Sequence, residues 1–149
     1  MRIPHAFFPF INFCMRILLR SPGHFLMSAS ILLLTFTGRK SGQTFTTPLR
    51  YVRHNDSLRC FSSPEAKWWS NLRGGAKVEV VVEGKREHRI GRLLNVDDDE
   101  KLAIFRDYLL KNPGDAAYHG LKPNRRNPQP DEALQAVLPD VVIVELTLP

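Results

Sequence analysis

The sequence predicts an α+β domain in which about six mostly antiparallel strands form a closed or curled sheet, with helices outside it. The first observation is a β-rich pattern from residue 31 to about residue 96, where short apolar runs alternate with turns. The second is a helical pattern over residues 97–111, and the third is a last apolar run over residues 141–146. A chain of 149 residues, 43% of them hydrophobic, can bury such a core as one domain.

The first 23 residues are predicted to form an amphipathic helical segment, which leaves residues 24–149 for the main domain. Ala6–Leu19 is strongly apolar but too short to span a bilayer. This segment either packs on the domain or contacts a membrane surface peripherally, with arginines facing the lipid headgroups. A secretory signal is not favoured, because no clear small-residue cleavage site follows. The apolar residues at helical spacing are Phe10, Phe13, Cys14, Ile17 and Leu18.

The strands are predicted from apolar runs bounded by turn residues. The first two are joined by the basic turn Gly38–Gln43, and the second of them contains Pro48, which we expect to be buried. A later pair turns at Gly84-Lys85. The segments that carry the strands are Ile31–Tyr51, with two strands, then Leu58–Ser62, Lys77–Glu83, Arg86–Val96 and Val141–Leu146.

Three helices are predicted within the main domain. Glu65–Leu72 reads as a short helix, because Ser63-Pro64 supplies a cap and a first-turn proline. Asp97–Lys111 begins with acidic residues, has apolar residues at helical spacing and stops at Asn112-Pro113-Gly114. A short acidic helix follows the Pro- and Arg-rich loop around residues 122–130.

The turn Gly38–Gln43 has the composition of an anion-binding site. It brings together Arg39, Lys40, the Ser41 hydroxyl, the Gln43 amide and backbone N–H groups, which suit a phosphate or carboxylate. It matches no P-loop, dinucleotide fingerprint or nucleophile elbow. A solvated hairpin with no ligand is the alternative, since glycine and serine also occur in turns for backbone reasons.

Two adjacent tryptophans, Trp68 and Trp69, form the second informative feature. Neighbours on a helix point about 100° apart, so one ring can enter the core while the other covers a cleft. An aromatic side chain over a cleft suits a planar ligand, although packing in the core is the alternative for either ring. Asn71 and Arg73 can simply end the helix before Gly74-Gly75.

The net charge and the cysteine content narrow the range of possible functions only weakly. A formal net charge of +6 favours acidic ligands, nucleic acid or anionic lipid as partners. Cys14 and Cys60 have no partner spacing, which indicates reduced packing residues in a cytoplasmic protein, with membrane association left open. The five histidines are scattered, so no metal site is predicted.

The motifs in combination resemble a known family. The chain has GRKSGQ, then Pro48-Leu49 after four intervening residues, then WW-x-NL and paired V-x-V-x-V strands. This combination is similar to the deazaflavin-dependent nitroreductases and quinone reductases, which are split β-barrels. The resemblance implies a coenzyme, factor 420, an 8-hydroxy-5-deazaflavin with an anionic phosphate and polyglutamate tail. It also implies hydride transfer from the reduced coenzyme to a quinone, nitroaromatic or similar conjugated acceptor.

The resemblance also implies roles for residues that bind the coenzyme. Arg39 and Lys40 would hold its tail or phosphate, together with the Ser41 hydroxyl, and Gln43 would extend that contact. The walls beside the ring, and the residues along it, would be Pro48, Leu49, Ser63, the backbone near Phe61, and Trp68 as the tryptophan that faces the cofactor.

Two residues are implied for the chemistry. Tyr118, in GDAAYHG, would be the late aromatic that lines the acceptor pocket. Tyr118 or Ser63 would donate a hydrogen bond or a proton to the reduced acceptor. A homodimer is a further expectation.

Some positions depart from the family pattern. The well-studied reductases have an arginine where this chain has Phe45, the loop before the tryptophans is shortened to SSPEAK, and the C-terminal half differs. These departures leave open a redox-silent barrel that binds flavin such as FMN, haem or a fatty acid. A nucleic-acid binder is the third and least supported hypothesis, and it predicts steep loss of affinity with salt.

Overall fold

A computed structural model describes residues 30–122 and 129–149 of the chain. The predicted N-terminal helix, its membrane contact, the division after residue 23 and Cys14 lie outside the described residues. Within the described part, no helix is both long and apolar enough to cross a membrane.

Six antiparallel strands close into a barrel, in the spatial order β1-β2-β3-β6-β5-β4. Helices lie outside it, so the predicted fold class is confirmed. The strands are β1 (Ile31–Thr37), β2 (Thr44–His54), β3 (Ser57–Ser62), β4 (Ala76–Val82), β5 (Lys85–Leu93) and β6 (Val142–Thr147).

The connections divide the barrel into two ends. The β1–β2 turn over residues 38–43 and the segment over residues 63–75 form what we call the upper end. The β2–β3 turn over residues 55–56 and the β4–β5 turn over residues 83–84 form the lower end. The basic turn and the tryptophan segment, 20 or more residues apart in sequence, therefore meet at one rim.

Every second side chain along a strand points into the barrel, since successive side chains point to opposite faces. The inward set on β1 is Leu32, Leu34 and Phe36, all nearly inaccessible to solvent. Val78, Val80 and Val82 do the same on β4. Cys60 is buried in this core as a free thiol, as predicted, and burial raises its pKa.

The outer face of β2, β3 and β6 is covered by a second core. Helix α1 (Asp98–Lys111) begins where Asp97 accepts a hydrogen bond from the Glu100 N–H, at 2.8 Å. Helix α2 (Asp131–Val137) and two 3-10 helices, Pro113–His119 and Leu138–Asp140, complete the layer. The residues packed there are Val52, Phe61, Phe105, Tyr108, Leu109, Ala116, Leu121, Leu134, Leu138, Val141 and Ile143.

Three local expectations need correction. Glu65–Leu72 is not one helix but two 3-10 helices, Pro64–Ala66 and Trp68–Leu72, because Lys67 between them adopts φ 60°. Strand β5 ends at Leu93 rather than Val96, where its pairing with β6 ends. Pro48 is only half-buried, because it lies on the outer face of β2.

Candidate functional site

The basic turn is closed on itself by hydrogen bonds. The N–H of Gly38 donates to the Gln43 carbonyl and that of Gly42 to the Gly38 carbonyl, both at 2.8 Å. The Gln43 N–H donates to Ser41 Oγ at 3.2 Å. The N–H groups of Gly38, Gly42 and Gln43 are therefore used within the turn, so an anion would be contacted by the side chains and by the remaining N–H groups.

Glycine is required at position 38 to form this turn. A Cβ there would lie 2.7 Å from Phe45 Cε2 and 2.8 Å from Ser41 Oγ, closer than side chains tolerate. The compact turn leaves the Arg39 and Lys40 side chains exposed. Within the described residues, neither has a carboxylate within ion-pair distance, so both charges remain available to a ligand.

The Asn71 side chain links the turn to the tryptophan segment through hydrogen bonds. Its Oδ1 accepts from the Arg39 N–H at 3.0 Å, and its Nδ2 donates to the Trp68 carbonyl at 3.0 Å. Sequence reasoning missed this role, because the bonded residues are 32 positions apart. The only signal was an amide residue within the WW-x-NL motif. The amide side chain thus fixes where the Arg39 backbone lies at the rim.

One tryptophan enters the core, as the spacing predicted, and it is Trp68, the ring that the resemblance placed beside the cofactor. It is 5% exposed in the barrel core, and its Nε1–H donates to Ser62 Oγ at 3.1 Å. Trp69 is half-buried, donates from Nε1 to the Ser63 carbonyl at 3.0 Å, and lies 5.2 Å from the Arg73 guanidinium. The geometry therefore favours Trp69 rather than Trp68 as the ring that a ligand can touch.

The two residues predicted to take part in chemistry are brought together. Ser63 Oγ and Tyr118 Oη lie 3.3 Å apart, although 55 positions separate them in sequence. The Tyr118 side chain is 56% exposed. Because Trp69 bonds to the Ser63 carbonyl, Trp69, Ser63 and Tyr118 form one continuous edge of the upper end.

The expected ring walls do not all lie on one face. Pro48 faces outward opposite Leu33, whereas Leu49 packs on the inner core, because neighbouring strand residues point to opposite faces. Phe61 is stacked against Tyr108 with ring centroids 3.8 Å apart, so only its backbone is available to a ligand. Phe45 packs on Phe36, with centroids 5.6 Å apart.

Beneath Tyr118 lies a partly buried polar network that the sequence did not indicate. Arg50 donates to both carboxylate oxygens of Asp115, at 3.0 and 3.2 Å. Tyr108 Oη donates to Asp115 at 2.8 Å and lies 3.3 Å from His119 Nε2. Burial, reinforced by Asp115, raises the pKa of Tyr108. Burial also lowers the pKa of His119 to about 4, against a smaller opposing effect of Asp115.

The buried His119 should make stability depend on pH. Its folded pKa of about 4 lies below its ordinary value of 6.5, so the unfolded chain binds the proton more readily between these values. Stability from this residue is therefore complete above about pH 6.5 and is lost as pH falls towards 4, by about 2 kcal/mol. Urea unfolding at pH 7 and pH 4.5 measures this loss.

His119→Gln is the variant for that measurement, with the exposed His88→Gln as its control. The loss of unfolding free energy on acidification should be smaller in His119→Gln than in the wild type, and unchanged in His88→Gln. Equal losses in all three proteins would show that His119 does not resist protonation in the folded state.

Within the described residues, no group of three or more histidine, cysteine, aspartate or glutamate side chains is placed to hold a metal ion.

Comparison with known proteins identifies the family from one family model and the fold from solved structures. A family model described as F420H(2)-dependent quinone reductase matches residues 14–122. No curated protein matches the sequence. The chain is similar in structure to an F420-H2 dependent reductase, with a TM-score of 0.52 and 21% identity over 78% of this chain and 93% of that one.

Two other solved structures share the fold at lower identity. One is a domain-swapped dimer, with a TM-score of 0.55 and 17% identity over 91% of this chain and 97% of that one. The other is a haem storage protein from Vibrio cholerae, with a TM-score of 0.53 and 12% identity over 86% and 87%. At these identities the likeness shows the barrel fold alone.

The barrel and the family match define the class of protein as a split-barrel oxidoreductase. The chain belongs to the F420H(2)-dependent quinone reductase family, whose model covers most of its length. Its reductase activity therefore depends on reduced factor 420, as the motifs implied.

Proposed function

We propose that the acceptor is a quinone, bound at the edge formed by Trp69, Ser63 and Tyr118. The observation that carries this proposal is the pairing of two hydroxyl groups, Ser63 Oγ and Tyr118 Oη, at 3.3 Å on an accessible rim. Quinone oxygens are hydrogen-bond acceptors, so two adjacent hydroxyl donors suit them. Nitroaromatic acceptors, which also carry polar oxygens, are the second class to test.

The donor set of the upper end fits the coenzyme. Arg39 and Lys40 offer unpaired, exposed cations to its anionic tail, and the Ser41 hydroxyl and Gln43 amide lie in the same turn. A Cβ placed on Gly74 would lie 3.8 Å from Arg39 Nη2, so the Arg39 guanidinium reaches across to the tryptophan segment. The planar ring would contact Trp69 and the outward-facing Pro48.

The side chains of this edge position the acceptor and donate a proton to it. When bound, the reduced coenzyme supplies the hydride. Reduction of a quinone to a hydroquinone also requires protons, and the Tyr118 hydroxyl can donate one to the quinone oxygen. Its exposure allows water to return that proton. Beside this edge, the Arg73 guanidinium lies 5.2 Å from the Trp69 ring.

Tyr118→Phe and Ser63→Ala should lower kcat for a soluble naphthoquinone, and together by about 100-fold, because a positioned proton donor contributes at least that much. The affinity for oxidised factor 420 should change by less than about twofold in Tyr118→Phe. Ser57→Ala, at the lower end, is the matched control. Full turnover in both test variants would exclude the acceptor site proposed here.

The homodimer and the cytoplasmic location remain predictions. Equilibrium sedimentation of the full chain tests the first directly.

A further inference from the structure

The segment that carries Tyr118 has little local structure of its own. It is a 3-10 helix of seven residues, Pro113–His119, which ends at Gly120, at φ 78°. Short 3-10 helices have poor hydrogen-bond geometry. An exposed tyrosine on such a segment holds one orientation only if buried groups below it are fixed.

The groups below it are fixed by hydrogen bonds that join this 3-10 helix to two other elements. Asp115 accepts from Arg50 on β2 through both carboxylate oxygens, and from the Tyr108 hydroxyl on α1. The Arg50 guanidinium also donates to Ser30 Oγ at 2.8 Å. Asp115 is 18% exposed in its side chain, so its charge is held mainly by these donors.

The same network reaches the ring of Tyr118 through His119. Because the ionised Asp115 can only accept, Tyr108 donates to it, and His119 Nε2–H then donates to Tyr108 Oη. The His119 ring meets the Tyr118 ring edge-on, with centroids 4.9 Å apart. The Tyr108 ring itself is immobilised by stacking on Phe61 at 3.8 Å.

We propose that Arg50, Asp115, Tyr108 and His119 form a positioning network that orients Tyr118 towards Ser63 for the acceptor. The four residues are not catalytic, since none lies on the accessible edge formed by Trp69, Ser63 and Tyr118. They act through Tyr118, and the inference therefore rests on the role proposed for Tyr118 above. Their contribution should appear in acceptor turnover and not in coenzyme affinity.

A double-mutant cycle between Tyr108 and Tyr118 tests the network. Tyr108→Phe removes one hydroxyl and keeps the ring that stacks on Phe61. It should lower kcat/KM for a soluble naphthoquinone about tenfold, while the Kd for oxidised factor 420 changes less than twofold. In a protein that already carries Tyr118→Phe, adding Tyr108→Phe should lower kcat/KM by less than twofold, because the hydroxyl that the network orients is already absent.

Two further variants separate positioning from stability. Tyr51→Phe is the matched control, because Tyr51 is equally buried and its hydroxyl also donates to a carboxylate, Glu83, but at the lower end. It should leave kcat/KM unchanged. Asp115→Asn keeps the shape of the side chain and removes its charge, and it should reproduce the effect of Tyr108→Phe.

The outcomes distinguish this inference from the proposed function. If Tyr118→Phe lowers kcat/KM and Tyr108→Phe does not, or if their effects multiply independently, the positioning network is refuted and the acceptor site stands. If Tyr118→Phe has no effect, the network is refuted, because it acts through Tyr118. If Ser63→Ala has no effect either, the acceptor site is refuted as well.

Discussion

Replacing Arg39 and Lys40 together by alanine should weaken binding of oxidised factor 420 by about 50-fold, while the free energy of unfolding changes by less than about 0.5 kcal/mol. Each exposed cation that contacts an anionic group contributes about 1 kcal/mol or slightly more, and the sum corresponds to that ratio. Stability is unaffected because both side chains are exposed and, among the described residues, have no ion-pair partner. A fluorescence titration measures the affinity.

The matched control is the variant Lys85→Ala/Arg86→Ala. These two adjacent, exposed cations lie in the turn region at the lower end and change the net charge of +6 by the same amount. Its affinity should stay within about twofold of the wild type. An equal loss in both double variants would attribute binding to overall charge and remove the turn over residues 38–43 from the site.

Replacing Arg89 by methionine should lower the free energy of unfolding by about 3 kcal/mol and leave coenzyme affinity unchanged. Arg89 is 4% exposed inside the lower end of the barrel. Its Nη1 donates to the carbonyls of Asp56 and Leu146, at 2.6 and 3.0 Å, and its Nε donates to Glu87 at 3.1 Å. Methionine fills part of the volume but satisfies none of these acceptors.

Urea unfolding at pH 7 measures this loss, and Arg92→Met, an exposed arginine on the same strand, provides the control. Arg92→Met should be within about 0.5 kcal/mol of the wild type. Wild-type stability in Arg89→Met would mean that water replaces the guanidinium without cost. A change in coenzyme affinity would contradict the assignment of function to the upper end alone.

The barrel was predictable because period-2 alternation and turn residues are local signals. On β4, Val78 and Val80 alternate with the polar Lys77 and Glu79, and the two valines lie in the barrel core. The separation of Pro48 and Leu49 onto opposite faces also follows from the period of a strand. The sequence alone therefore indicates that these two side chains do not form one wall.

The rest of the site depends on contacts between distant residues. The 100° offset predicted that one tryptophan enters the core, but the choice of Trp68 depends on its bond to Ser62 and on the break at Lys67. Asn71 contacts Arg39 across 32 positions, and Arg50 contacts Asp115 across 65. No local pattern encodes such pairs. The sequence therefore indicated the exposed cations of the turn but not the hydrogen bonds that hold their surroundings in place.

The most direct test of the account is a competitive titration of the full chain with oxidised factor 420, FMN and haem at two salt concentrations. We expect micromolar binding of factor 420 that weakens with added salt. Binding of FMN and haem should be at least about 50-fold weaker, since FMN carries only a phosphate and haem only propionates, and both lack the polyglutamate tail that Arg39 and Lys40 are proposed to contact. Preferred binding of FMN or haem, undiminished in Arg39→Ala/Lys40→Ala, would contradict it and indicate a barrel that serves another cofactor.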